Sequence, residues 1–181
     1  MKQPTEPTLA ERAPSEVLNA QVASLQGNAV LVGSVQHRPE HIVLLNQQRQ
    51  IVYANASYLA MAKNQESAEV HGARFGEHMG CVHAARGEGG CGTTKACQTC
   101  GVLNAALKSL NGKVAMQRCT ITLEAEQEPL QLIIFTIPVR IDGSIYVLAA
   151  FVDDNKVIEH PHTLAKHTFA VQRLAASIEE C

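Results

Sequence analysis

The sequence predicts an α+β domain built on a five-stranded antiparallel sheet, with helices on one face and further helices flanking it at the N- and C-termini. Three observations carry that prediction. HIVLLN (41–46) and QIVYAN (50–55) are short apolar runs on either side of a polar turn, the pattern of a β-hairpin. Three longer runs lie between Ala115 and Val152, joined at Glu128-Pro129 and Asp142-Gly143 by connections too short for a parallel crossover. The segment between these two groups carries helical spacing instead, interrupted by a Gly-rich stretch that holds four of the six cysteines.

Taken in order, residues 1–14 are polar and Pro-rich and read as a disordered tail. They contain no apolar h-region, so they are not a signal peptide. Residues 15–36 read as an N-terminal helix and linker. Ser15 is placed to cap a helix running to Gln26, with Val17, Leu18, Val22 and Leu25 as its apolar stripe. Gly27 and Asn28 end it, Ala29–Val35 links it onward, and Pro39 marks a boundary. The main domain spans 37–154. After the hairpin, Asn55 stands at the N-cap of a helix through Ser57, Tyr58, Leu59 and Met61. A second short helix is expected from Gln65 to Val70, and HGARFGEHMG then leads into the cysteines. Beyond them VLNAALKSL is helical, with Val102, Leu103, Ala106, Leu107 and Leu110 on one side, and Asn111-Gly112 stops it.

Alternation defines the next strand. Ala115–Glu126 places Ala115, Gln117, Cys119, Ile121, Leu123 and Ala125 on one face, so Cys119 reads as a small core residue and not as a ligand. Leu130–Arg140 and Ser144–Val152 follow across the Asp142-Gly143 turn. Residues 155–181 hold a C-terminal helix beginning after Pro161, with Leu164, Val171 and Ile178 at heptad spacing and Leu174 at the d position. Such a stripe suits a helix packed back on the sheet or a dimerising, signalling helix.

The chemistry concentrates in the insert Gly80–Gly101, GCVHAARGEGGCGTTKACQTCG, with the spacing Cys81-x9-Cys91-x5-Cys97-x2-Cys100. It offers few apolar side chains to bury, so its order has to come from a bound metal, an iron–sulfur cluster or a disulfide. A C-x-x-C step lets two thiolates reach one metal across a tight turn. The neighbouring glycines supply positive φ or let backbone N–H groups approach sulfur. Arg86 and Lys95 are candidates to offset thiolate charge, and His83, two residues from Cys81, is a candidate to replace a cysteine as a ligand. Structural zinc commonly uses two C-x-x-C pairs; with one pair and irregular spacing, an iron–sulfur cluster fits at least as well. The residues leave three readings open: a cluster or zinc held by Cys81, Cys91, Cys97 and Cys100, a metal-free thiol switch, or incidental cysteines. Covalent haem is excluded, because Gly101 stands where C-x-x-C would need a following His. His71 and His78 flank the stretch, as solvated loop histidines or as outer partners of a site. Cys181 is terminal and reads as inert.

The order of strands and helices over Arg38–Asp154 resembles the PAS domain, a sensor module. The resemblance is carried by IVLLNQQRQIVYANASYLAMAKNQESAEVHGARFGE, in which Asn55 holds the position before the helix; the turn has Asn46 and Arg49 where PAS turns often carry Asp and Gly. GCVHA followed by GGCGTTKACQTCG is similar to a motif in a subset of bacterial PAS proteins, many of them sensor histidine kinases. The resemblance implies a ligand cleft beside the insert, a homodimer, and a downstream partner such as a histidine kinase or regulator.

Composition sets the outer limits. With 181 residues and 46% apolar content the chain suits one domain plus extensions. A net charge of −2 argues for neither nucleic acid nor an anionic membrane. The longest apolar run, Ile145–Val152, is far short of a bilayer span. A cytoplasmic protein is therefore expected, where clustered cysteines serve as metal ligands or redox thiols more than as structural disulfides. Neither a phosphate-binding loop nor a Ser-His-Asp pattern occurs, and His167 lacks the surroundings of a kinase phosphoacceptor, so no enzyme is expected. The resulting expectation is a cytoplasmic sensor that responds to redox state or oxygen through its cysteines. The alternatives are a zinc-stapled protein-interaction module and a metal-free thiol-disulfide switch.

Overall fold

Short connections force consecutive strands to run antiparallel, and the computed structural model, which describes residues 9–61, 70–124, 128–159 and 162–179, holds a five-stranded sheet of that kind. Its strands are β1 (His41–Leu45), β2 (Ile51–Ala54), β3 (Ala115–Ile121), β4 (Leu130–Ile141) and β5 (Ser144–Asp153). They lie in the order β2-β1-β5-β4-β3, and every neighbouring pair is antiparallel. The β4–β5 hairpin closes with Ile141 opposite Ser144 because Asp142 and Gly143 both take positive φ (48° and 76°), the two-residue turn whose twist matches that of the strands. β1 lies against β5, Val43 opposite Ala149, which puts the N-terminal hairpin beside the last strand. The predicted fold class is the one observed.

The helices are α1 (Ser15–Gly27), α2 (Ala29–Val35), α3 (Ala56–Met61), α4 (Phe75–His78), α5 (Val82–Arg86), α6 (Gly101–Leu110), α7 (Asp154–Glu159) and α8 (His162–Glu179), with a 3-10 turn, Lys95–Thr99, just before α6. They divide between the two faces of the sheet. On one face Val43, Ile134, Val147 and Phe151 pack with Tyr58 of α3, Phe75 of α4 and Val102 and Ala106 of α6. On the other, Ile42, Leu44, Phe135 and Leu148 pack with Leu25 of α1, Leu31 and Val35 of α2, and Val171, Leu174 and Ile178 of α8. Burial on both faces is why β4 and β5 are apolar almost throughout instead of alternating. Each such side chain contributes roughly 1.5–3 kcal/mol relative to exposure.

Asn55 is fully buried and does more than cap α3. Its Oδ1 accepts from the Tyr58 N–H (2.9 Å), the expected cap, and also from the Ile42 N–H (3.0 Å), while its Nδ2 donates to the Glu40 carbonyl (2.8 Å). One side chain thereby joins the start of β1 to the start of α3.

The structure departs from the sequence reading at several elements. Ser15 is the first residue of α1, with Pro14 in the capping position. Ala29–Val35, read as a linker, is a helix, because the Asn28 side chain accepts the Leu31 N–H and Leu31 and Val35 bury against the sheet. Residues 9–14, read as part of a disordered tail, are docked on the domain by hydrogen bonds from Ala13 to Gln50 and from Arg74 to Glu11. β3 stops at Ile121, and Leu123 pairs in isolation with Cys81. The expected helix at Gln65–Val70 lies, apart from Val70, outside the described residues, as does Cys181.

Candidate functional site

The Gly80–Gly101 segment folds as α5, an irregular loop and the 3-10 turn, running directly into α6. Cys81 precedes α5 as its N-cap, Cys91 sits in the loop, Cys97 is buried in the 3-10 turn with its sulfur 3.1 Å from Thr94 Oγ1, and Cys100 is the N-cap of α6. All four, together with His83, line one cavity of about 430 Å³ between this segment, α4 and β3. The structure thus brings every expected site residue to one place. It adds one that was set aside: Cys119 of β3 also lines the cavity, and its sulfur lies 3.7 Å from that of Cys100. None of these five cysteines forms a disulfide. His78 pairs instead with Tyr58 (Nδ1 to Oη 3.0 Å), and His71 faces a different cavity, against Tyr53 and Leu59.

The sequence shows that apolar burial cannot order this loop, and the structure shows what does. Arg74, just before α4, is 1% exposed. Its guanidinium donates to the carbonyls of Gln48 (3.1 Å), Gly89 (3.1 Å), Cys91 (3.0 Å) and Glu11 (2.6 Å). Glu77 of α4 accepts from the backbone N–H groups of Cys91 and Arg74 (2.9 Å each) and pairs with Arg12. The buried Arg49 donates to the Leu9 carbonyl. Gly90 and Gly92, at φ 78° and 95°, follow from this: a side chain at either would collide with the Glu77 carboxylate or the Arg49 guanidinium. The positive φ expected of the glycines is present at Gly90 and Gly92, and the space they leave is filled by fixed charges.

Those charges set the electrostatics. Arg86 and Lys95, expected to balance the thiolates, are exposed. The buried cations placed to feel a charge on Cys91 are Arg49 and Arg74. Burial, helped by Arg49 and Arg12, lowers Arg74 to about 10, which leaves it a cation at neutral pH. Burial pushes the Cys91 thiol up to about 12. Cys100 moves the other way: the Cys119 thiol bonds to its sulfur, N–H groups of Leu103 and Val102 add to this, and His83 lies near, so its pKa falls while that of Cys119 rises. The arrangement therefore favours one thiolate at the start of α6.

The donor set is chemically suited to a soft metal or an iron–sulfur cluster, since thiolates and imidazole are the ligands such groups take. Among the described residues, no three His, Cys, Asp or Glu side chains converge as they would around a single ion. The sulfurs are spread around a cavity instead.

No protein-family model matches the chain, and no curated protein matches it. Among solved structures, the chain is similar to a variant of RsLOV, at 16% identity over 91% of this chain and 84% of that one, with a TM-score of 0.58. The PAS domain of nitrogen regulation protein NR(II) from Vibrio parahaemolyticus aligns at 11% identity over 70% of this chain and 98% of that one, with a TM-score of 0.46. The PAS domain of Bordetella pertussis BvgS aligns at 14% identity over 85% and 99%, with a TM-score of 0.45. The likeness is one of fold: the sheet and its helices have a PAS/LOV-like arrangement. Among the described residues no helix is long and apolar enough to cross a membrane.

Proposed function

We propose that the chain is a sensor module whose cavity cysteines hold an iron–sulfur cluster, and that oxidation or loss of the cluster is the signal. One observation carries this reading: five sulfurs and His83 surround a single cavity of about 430 Å³ on the helical face of a PAS/LOV-like sheet. A lone tetrahedral zinc needs four donors about 2.3 Å from one point, whereas donors spread around a cavity suit a polynuclear group. When bound, the cluster supplies one-electron redox chemistry and sensitivity to oxidants. The chain supplies thiolates to bind it, and Arg49 and Arg74 to balance the negative charge of the ligands. Arg74 and Glu77 fix the Cys91 backbone, so a change at the site bears on residues 9–14 through the same two side chains. In this reading the module works in the cytoplasm as a homodimer and hands its state to a histidine kinase or regulator, as the motif's resemblance implies.

Iron, sulfide and zinc measured on anaerobically purified protein, with absorption spectra before and after air, test the proposal. At least about two irons per chain with matching sulfide and broad visible absorption are expected. One zinc and a spectrum indifferent to mild oxidant would instead make the site a structural staple of an interaction module. Metal-free protein with a reversible Cys97–Cys100 disulfide would remove the metal altogether and leave a thiol switch.

A further inference from the structure

We infer that Cys119 is a metal ligand and that Cys100 and Cys119 bind the same metal atom. The inference rests on the proposed metal centre and supplies a sulfur that the cysteine-rich segment itself does not contain.

The argument begins at the junction of α6 and β3. A Cβ at Gly101 would fall on the Arg118 carbonyl and come within 3.2 Å of Cys119 Cβ, so α6 starts with its backbone hard against β3. The residues on either side of that contact are Cys100 and Cys119, and their sulfurs are held 3.7 Å apart. Two sulfurs bound at about 2.3 Å to one tetrahedral metal are separated by about 3.8 Å. The pair's spacing thus matches that of two sulfurs on one metal atom. Both sulfurs also lie beside the start of α6, near the backbone N–H groups of Gly101, Val102 and Leu103. Such N–H donors are the outer partners that orient and stabilise metal-bound thiolates.

The rest of the donor set faces the same space, since Cys81, Cys91, Cys97 and His83 line the cavity that Cys100 and Cys119 line. Cys119 differs from them in its support. It stands on β3, paired opposite Leu132 of β4, whereas the other cysteines stand in the loop or at helix starts. One metal atom shared between Cys100 and Cys119 ties α6 to the sheet, so a change in the metal acts on the sheet without passing through the loop.

Metal content and absorption of the anaerobically purified wild type, Cys119→Ser, Cys119→Val and Cys181→Ser test this, with circular dichroism to verify folding. Folded Cys119 variants are expected to lose metal affinity by more than the roughly 10–100-fold that changes to outer partners cost, and Cys181→Ser to keep its metal. A folded Cys119→Ser or Cys119→Val with wild-type metal content and an unchanged spectrum overturns the inference while leaving the metal centre standing. A wild type without metal overturns the centre itself. A measurement on the wild type covers the case in which the variants do not fold. A diazene oxidant such as diamide takes the two thiol hydrogens, becomes the hydrazine and leaves a Cys100–Cys119 disulfide. Peptide mapping is expected to find that disulfide after chelation and not in metal-replete protein; its formation in replete protein without metal loss overturns the assignment.

Discussion

Glu77 sits where three parts of the chain meet: the start of α4, the Cys91 loop and the segment holding Arg12. Burial pushes its carboxyl up, and the hydrogen bonds from the Arg74 N–H, Arg12 and the Cys91 N–H outweigh that, leaving its pKa below the ordinary carboxylate value. A folded-state pKa depressed in this way contributes stability that is fully present above the unfolded value of about 4.3 and is lost as pH falls through the folded value. Glu77→Gln should therefore be less stable than wild type at neutral pH by about 1.5–3 kcal/mol, the range for hydrogen bonds to a charged group. Its stability should also fall less steeply in acid. Denaturant titrations at stepped pH measure both, and parallel profiles for the two proteins would show that this carboxylate does not anchor the loop. The same residue marks what a sequence can and cannot display. Asn55 is legible because a cap and its helix are neighbours in the chain. Arg74 reaches residues 11, 48, 89 and 91, and no local pattern announces contacts of that range. Cys119 falls between the two cases: alternation correctly puts it on the inner face, but cannot say that Cys100 is what it meets there.

At the scale of elements, helices form here where packing and caps reward them, even against propensity. The run AVLVGSV of α2 has β-branched residues and a central glycine, both poor helix formers. Asn28 and the burial of Leu31 and Val35 overcome that, which is why composition alone reads it as a linker. Two glycines then make opposite predictions. Gly33 lies in this helix with nothing within 4 Å of the place a methyl group would occupy, so Gly33→Ala should stabilise the protein by about 0.4–1 kcal/mol. Gly101 at the start of α6 has the Arg118 backbone in that space, and Gly101→Ala should destabilise by about 1–3 kcal/mol or more and push α6 away from β3. Thermal unfolding of the two variants beside wild type reads the contrast. A Gly101→Ala protein as stable as wild type would mean that the α6–β3 approach is not enforced, and the pairing of Cys100 with Cys119 would lose its structural cause.

At the scale of the molecule, the sheet is a partition. The cysteine cavity lies on one face, and α1, α2 and α8 cover the other, so the strands are what the two sides share. β5 shows the arrangement along one strand: Val147, Ala149 and Phe151 face the cavity side, while Tyr146, Leu148 and Ala150 face the terminal helices. This bears on the heptad stripe of α8. Val171, Leu174 and Ile178 are 1%, 5% and 6% exposed within a single chain, and Leu164 packs with Val157 of α7. The stripe that could have joined two copies is thus used to cover the sheet. Leu174→Ala should then cost about 2–5 kcal/mol, the range for truncating a buried leucine. Because the contact is intramolecular, that loss should be the same at any protein concentration, whereas a stripe buried between two copies would make it concentration-dependent. Unfolding of wild type and Leu174→Ala, each at concentrations about 100-fold apart, separates the cases by mass action. A difference between the two proteins that grows on dilution would show that α8 leaves the sheet to pair with a second copy. A constant difference would show that α8 covers the sheet of its own chain, as its buried stripe requires.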